Sequence, residues 1–452
     1  MKNDIPFISS PIKDYYQGDI VRLGLYLQHQ YRNFVDTQRP FLIPSYARLA
    51  PLFIASCWKF GIPFWIVPDD WERVIPGEII KKINPAGTFS DEILDSALKD
   101  SAISKVSFPS IPPEAIFGYF LTSGTTGMPK VVALKRRQME AAATASALNF
   151  KPQENEQWLL CLPLNHVGGV SVVLRSLIYG SRVFDARLAT TDELCSYLST
   201  PSSISFTSMV PTQLNAMLNA EPGLKVHESF KAILLGGGPA DSSLIEKARS
   251  NRIPVLRSYG MSETCAQLFA MPLSSVFNEP AESSGLILIG NKVEIRNPDS
   301  DGIGELWVKG PQVIDSYFFN ENESIVFDDS GWFLTGDFAR LDDSNRIFIE
   351  MRREDRIVTG GENVNPAEVE QAIQSYFGID EAVVIGLPDN HWGQIVVAVV
   401  TDDSVTLSKI SERLKPHLES YKIPKKIVTV STIPRNEMGK VMRKELLSMI
   451  GW

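Results

Sequence analysis

Residues 117–130 read Phe-Gly-Tyr-Phe-Leu-Thr-Ser-Gly-Thr-Thr-Gly-Met-Pro-Lys. Phe117–Leu121 is an apolar, aromatic-rich run of strand length, and it ends abruptly in hydroxyls and glycines. Gly124 and Gly127 open backbone conformations closed to other residues. Ser123, Thr125 and Thr126 supply hydroxyl donors, successive backbone N–H groups can form an anion nest, and Lys130 adds a positive charge. The G-x-x-x-x-G-K-[ST] spacing of a Walker A loop is absent. By composition alone, such a run reads equally well as a plain surface loop.

Upstream, Leu49–Phe60 has helical spacing that Gly61 stops, and Ile62–Val67 reads as a short buried strand. Residues 80–115, with Pro85, Pro109, Pro112 and Pro113, read as a surface connection carrying one amphipathic helix near Asp91–Leu98. Downstream, Gln138–Leu148 is an alanine-rich helix, Trp158–Pro163 is strand-like and Val170–Ile178 is helical. Ser203–Val210 and Ala232–Leu235 are apolar strands, each followed by a turn and a helix. This alternation predicts mainly parallel sheets with helices on both faces. After about Gly285 the texture becomes antiparallel, with short strands at Lys292–Arg296, Gly304–Lys309 and Arg346–Glu350. Composition breaks again at Met351–Asp355. Beyond it come helix Pro366–Ser375, strands Ala382–Leu387 and Ile395–Thr401, helix Leu407–His417 and strand Lys426–Val430. The expected α/β architecture is a large N-terminal domain, residues 1–353, of parallel sheets plus a small antiparallel β subdomain. A small mobile α+β domain, residues 354–452, follows it.

The chain has 452 residues with Lys+Arg 44 and Asp+Glu 53, a net charge of −9. Hydrophobic residues at 44% and charged residues at 21% are ordinary for a globular protein and exclude intrinsic disorder. The acidic balance argues against nucleic acid or an anionic membrane as the main partner. Cys57, Cys161, Cys195 and Cys265 form no Cys-x-x-Cys pair. A reducing compartment is the default. No apolar leader and no run of about 20 apolar residues is present, so the expectation is a cytoplasmic protein without a membrane span. Monomer and homodimer both stay open.

The glycine-rich loop keeps company with Ser-Tyr-Gly-Met-Ser-Glu-Thr (258–264) and Thr-Gly-Asp (335–337). Arg352–Glu370 (RREDRIVTGGENVNPAEVE) and Pro434–Arg443 (PRNEMGKVMR) complete the set. In this order the motifs resemble the adenylate-forming superfamily of acyl- and aryl-CoA ligases, adenylation domains and luciferases. The resemblance implies two half-reactions. A carboxylate attacks the α-phosphate of ATP to give an acyl-adenylate and pyrophosphate, and a thiol then displaces AMP.

The same resemblance assigns residues. Thr122, Ser123, Gly124, Thr125, Thr126 and Gly127 would hold the β- and γ-phosphates, with Lys130 closing the motif and Thr264 near the α-phosphate. Glu263 would bind Mg²⁺, a hard cation satisfied by one carboxylate together with phosphate and water oxygens. Gly236, Gly237 and Gly238 would edge the adenine pocket, on which Tyr259 stacks. Asp337 would accept from both ribose hydroxyls, and Arg352 would touch the same sugar. Met351 stands where glycine is usual in the family. Glu354 occupies the hinge position, Gly360 and Gly361 lie where the pantetheine arm of coenzyme A passes, and Lys440 is the catalytic lysine of adenylation.

Leu162–Arg175 (LPLNHVGGVSVVLR) is similar to the o-succinylbenzoate–CoA ligases of menaquinone and phylloquinone biosynthesis, as is the short region before Thr122. That implies His166 as a catalytic gate beside the acyl pocket, Ser171 as a polar lining group and Arg175 as the cation for a diacid's second carboxylate. The plain alternative for Arg175 is a helix-surface arginine paired with a neighbour. Asn365 and the segment Gly285–Gly290 depart from the wider pattern. Aryl- or medium-chain acyl-CoA ligases, and stand-alone adenylation proteins that charge a carrier, share most of these motifs. A nucleotide-binding regulator that has lost catalysis would lack Lys440 or Glu263, and both are present.

Overall fold

A computed structural model describes residues 5–31, 38–99, 108–122, 130–238, 240, 242–318, 327–352, 357–360, 362–379, 381–389, 391–436 and 439–452. The chain divides into two compact units. Residues 1–292 and 308–333 make the first, and residues 293–307 and 334–452 the second. The expected boundary beside Glu354 lies outside the described residues.

The described residues of the first unit form two sheets. One runs in the order Ile8–Ser9, Arg182–Asp185, Gln157–Leu160, Ile204–Met209, Ala232–Leu235, Val255–Tyr259, Phe269–Ala270, Leu286–Ile287. Its first six strands are parallel, and the last two are antiparallel additions. Gln157–Leu160, Ile204–Met209 and Ala232–Leu235 are buried at every position. Ala232–Leu235 is apolar throughout, as a strand covered on both faces favours, whereas Ile204–Met209 buries Ser205, Thr207 and Ser208 among its apolar residues and Gln157–Leu160 buries Gln157. The second sheet runs Gly87–Thr88, Phe41–Pro44, Phe64–Val67, Ile116–Thr122, Lys130–Lys135. Only its last pair is antiparallel, and there Thr122 lies opposite Lys130. The glycine-rich loop is therefore the connection of a β-hairpin, and its residues 123–129 lie outside the described set.

Helix Ala50–Phe60 is buried on almost every side and ends where Gly61 turns left-handed. It packs on helices Gln17–Tyr31 and Val167–Tyr179. A helix hydrophobic all round is stable only when enclosed in this way. The proline-rich stretch before residue 116 is less superficial than its composition suggests. Helix Asp91–Lys99 sends Leu94 and Ala97 into the main core, beside Phe89. Its charged outer face dominates the composition and masks the buried stripe.

In the second unit, strands Phe333–Leu341 and Ile347–Arg352 pair antiparallel in the sheet that also carries Lys292–Arg296 and Gly304–Lys309. A separate sheet is built from Glu362–Val364, Ile357–Thr359, Gly393–Val400 and Ala382–Asp389, with Lys426–Thr429 joining Gly393–Val400 in parallel. Helices Pro366–Phe377 and Leu407–Leu414 cover it through Val369, Ile373, Ile410 and Leu414. The expected fold class, parallel sheets with helices followed by smaller β-rich and α+β parts, is what the chain adopts.

Candidate active site

In the first unit, the groups expected to meet a nucleotide gather where the parallel strands end. Strand Val255–Tyr259 leads into Gly260 and the short turn Ser262–Thr264. A Cβ on Gly260 would sit 1.5 Å from the Ala266 carbonyl oxygen, so the backbone can fold back here only because the side chain is missing. The fold-back is strained beyond it as well, with φ of 55° at Cys265 and 79° at Ala266. It carries Glu263 inward to 7% exposure, where Oε1 accepts a hydrogen bond from the Tyr317 hydroxyl at 2.7 Å.

Thr264 is fully buried. Its hydroxyl accepts from Met261 N at 3.1 Å and donates to Met261 O at 3.2 Å, so it is engaged within its own turn. Tyr259 is half-buried at the strand end, its ring 6.0 Å from that of Phe269. Gly236, Gly237 and Gly238 follow strand Ala232–Leu235, and Gly236 N donates to Met209 O at 3.1 Å.

At the hairpin, Thr122 Oγ1 is buried with no hydrogen-bond partner. Lys130 Nζ lies 4.7 Å from the centre of the Tyr317 ring. Ser123, Gly124, Thr125, Thr126 and Gly127 lie outside the described residues. An orphaned buried hydroxyl costs about 1–3 kcal/mol unless a ligand oxygen completes it.

His166 occupies the N-cap position of helix Val167–Tyr179. Ser171 Oγ donates to Gly168 O at 2.8 Å, a bond inside the helix. Arg175 is not on the helix surface. It is 5% exposed, with its guanidinium carbon 4.1 Å from the centre of the Trp158 ring. Nε donates to Ser171 O at 3.2 Å and Nη1 to Ser146 Oγ at 3.0 Å, and Nη2 reaches Ser208 Oγ at 3.4 Å. Among the described residues it makes no ion pair. Burial pulls the guanidinium down to about 9, which leaves it cationic at neutral pH.

The second unit carries the remaining groups. Asp337 is 4% exposed and stands directly opposite Arg352 in the strand register. Lys440 N–H donates to Asn436 Oδ1 at 2.9 Å, and its carbonyl accepts from Asn436 N at 2.9 Å. Gly360 has φ +61°, and its N–H donates to Trp392 O at 2.9 Å. Glu354 and Gly361 lie outside the described residues.

Among the described residues no group of three or more His, Cys, Asp or Glu side chains is placed to hold a metal ion. A divalent cation at Glu263 would therefore draw most of its oxygens from phosphate and water, which suits magnesium. The buried Glu263 carboxylate and the unmet Thr122 hydroxyl fit such a shared phosphate–metal centre.

Residues 74–318 match the AMP-binding enzyme family, and residues 368–440 match the AMP-binding enzyme C-terminal domain. The chain belongs to the AMP-binding enzyme family. A fellow member, the 2-succinylbenzoate–CoA ligase of Bacillus subtilis strain 168, is 36% identical over 396 residues, 85% of this chain and 78% of that protein. A solved o-succinylbenzoate CoA synthetase (MenE) from Bacillus subtilis, in complex with the acyl-adenylate intermediate OSB-AMP, superposes with a TM-score of 0.84. It is 26% identical in that superposition, which covers 99% of this chain and 96% of that one. A structure of the same synthetase with ATP and magnesium ion gives a TM-score of 0.82 at 26% identity, covering 99% and 97%. No helix among the described residues is long and apolar enough to cross a membrane.

The motifs did not point to Tyr317, whose hydroxyl meets Glu263, or to Ser146 and Trp158, which contact Arg175.

Proposed function

We propose that this AMP-binding family member is an o-succinylbenzoate–CoA ligase that works through an acyl-adenylate. The observation that carries the choice of acid is Arg175, a guanidinium inside the core whose charge no described carboxylate answers. A monoacid offers it nothing. A diacid offers a second carboxylate, and charge-assisted bidentate pairing suits that geometry. Likeness to 2-succinylbenzoate–CoA ligases over most of the chain supports the same substrate.

In the first half-reaction, a carboxylate oxygen of the acid forms a bond to the α-phosphorus of ATP, and the bond to the pyrophosphate oxygen breaks. An anion must approach a polyanion, so charge neutralisation dominates the barrier. The loop Thr122–Gly127 and Lys130 hold the β- and γ-phosphates. Glu263 is the protein's ligand for Mg²⁺, which supplies charge neutralisation at the phosphates when bound. Tyr259 and Gly236–Gly238 receive adenine, and Asp337 with Arg352 receives the ribose. Lys440 contributes an ammonium to the developing charge between the two reacting oxygens. In the second half-reaction the coenzyme A sulfur attacks the acyl carbon and AMP departs, with Gly360 and Gly361 flanking the pantetheine arm. His166 gates the acyl pocket. The four cysteines, all buried and unpaired, suit a cytoplasmic setting.

AMP release measured with o-succinylbenzoate, benzoate and octanoate tests the assignment. The diacid is expected to be preferred by at least an order of magnitude in kcat/KM, and preference for either monoacid refutes it.

A further inference from the structure

Residues 312–318 lie outside the motifs quoted above, yet they brace two groups on which the adenylation reading relies. Gln312 is fully buried, and its Nε2 donates to the carbonyls of Thr264 at 2.8 Å and Gln267 at 2.6 Å. Ile314 N donates to the Glu263 carbonyl at 2.9 Å. The turn bearing Glu263 is thus held along its backbone from one side. The brace is anchored on the strand and helix beyond Lys130. Phe318 N donates to Val131 O at 2.9 Å, and Gln138 Nε2 donates to Val313 O at 3.0 Å. Asp315 pairs with Lys135 at 2.8 Å and with Arg137 at 2.5 Å. Between these anchors, Tyr317 touches both functional side chains, its hydroxyl on Glu263 Oε1 at 2.7 Å and its ring facing Lys130 Nζ at 4.7 Å.

On the adenylation reading above, we infer that Tyr317 is a positioning residue. Its phenol fixes the Glu263 carboxylate for the divalent cation, and its ring holds the Lys130 ammonium ready for the nucleotide's phosphates. A ligating carboxylate with one oxygen pinned by a neutral donor cannot rotate away and keeps its full charge for the metal. Partners of this kind typically alter metal affinity or activity by about 10–100-fold when removed. The ring contact is of another size. A cation over a phenol face is worth about 0.5–2 kcal/mol, much less than a phosphate offers the same ammonium, so the ring parks Lys130 without trapping it.

The test is Mn²⁺ binding to the full chain, followed by electron paramagnetic resonance with saturating α,β-methylene-ATP, which cannot be cleaved at the reacting bond. Wild type, Tyr317→Phe, Tyr317→Leu and Glu263→Gln are compared. Tyr317→Phe keeps the ring and is expected to raise the Mn²⁺ dissociation constant about 10–100-fold, with metal-free binding of the analogue unchanged. Tyr317→Leu is expected to raise the Mn²⁺ constant as much and also to weaken metal-free analogue binding about fivefold, the equivalent of about 1 kcal/mol of lost ring contact. Wild-type Mn²⁺ binding by Tyr317→Phe, alongside weakened binding by Glu263→Gln, overturns the role of Tyr317 alone. Wild-type binding by Glu263→Gln overturns the metal site and Tyr317 with it. Tyr317→Phe removes a single oxygen, so the outcome does not depend on the leucine variant folding.

Discussion

Replacing Arg175 by methionine separates a substrate-binding guanidinium from a structural one. The side chain keeps an unbranched apolar stem that reaches about as far as Nε, and it loses the guanidinium and its charge. Burial brings the wild-type group down to about 9, so at pH 7 about 99% of it remains cationic. Truncating one partner of a buried charge pair typically costs about 2–5 kcal/mol. With about 3 kcal/mol for the diacid's far carboxylate, kcat/KM on o-succinylbenzoate is expected to fall on the order of 10², while benzoate changes by less than about threefold. Stability should move little. The variant loses the stacking on Trp158 and the bonds to Ser146 and Ser171, together a few kcal/mol. It also escapes the several kcal/mol cost of desolvating an unanswered charge. Linkage gives an independent sign. The folded-state value lies below the ordinary arginine value, so above about pH 9 the unfolded chain holds more protons than the folded one. Wild-type stability therefore gains a contribution that rises with pH from about 9 upward, and Arg175→Met lacks it. Steady-state AMP release on both acids, with chemical denaturation at pH 7 and pH 10, reads all three quantities. Equal loss of activity on benzoate and on the diacid refutes the reasoning.

Two further substitutions divide the half-reactions. Lys440→Ala is expected to abolish acid-dependent pyrophosphate exchange and to spare thioester formation from a supplied acyl-adenylate, and equal loss of both steps rules out its assigned role. Gly360→Ala places a Cβ 2.9 Å from the Trp392 ring at φ +61°, a conformation that costs an L-residue about 1–2 kcal/mol. Thioester formation is expected to drop at least tenfold with pyrophosphate exchange retained, and the reverse pattern removes Gly360 from the thiol path.

Much of the fold was readable because the central strands are buried on both faces. Ala232–Leu235 is an apolar run bounded by turns, Ile204–Met209 carries Ile204, Phe206 and Met209 at strand length, and the helices between such strands obey the crossover rule. What was not readable follows from physics rather than from chance. Helix Gln17–Tyr31 buries Ile20, Leu23, Leu27 and Tyr31 at helical spacing, but glycine and polar residues between them dilute the pattern. Strand Lys130–Lys135 is short and follows directly on the loop, so Lys130 read as a loop end when it is also a strand start. The candidate site groups named from motifs belong to fixed spacings, whereas a group that meets them only through another side chain has no spacing to give it away. Tyr317 lies 54 residues from Glu263, and nothing local in its own segment encodes that meeting.

Two buried arginines show how structure decides what sequence leaves open. Arg187 has its side chain 3% exposed, and a carboxylate answers its charge. Asp185 takes Nε at 2.8 Å and Nη2 at 2.9 Å, and the carbonyls of Ser45 and Ala47 accept from Nη1 and Nη2. Those bonds tie the end of strand Arg182–Asp185 to the loop after Phe41–Pro44. Arg175 is as deeply placed, yet among the described residues it meets only hydroxyls, one carbonyl and an aromatic face. A guanidinium carries five donors, and neutral acceptors satisfy some of them without cancelling the charge. The folded chain therefore bears an electrostatic cost at Arg175 that it does not bear at Arg187. A cost of several kcal/mol inside a domain whose net stability is about 5–15 kcal/mol is large. It makes physical sense where a second anion arrives with the substrate and offsets it. The same logic extends to Thr122, whose buried hydroxyl has no hydrogen-bond partner among the described residues. On the proposed function, each is a polar group that a substrate oxygen would complete.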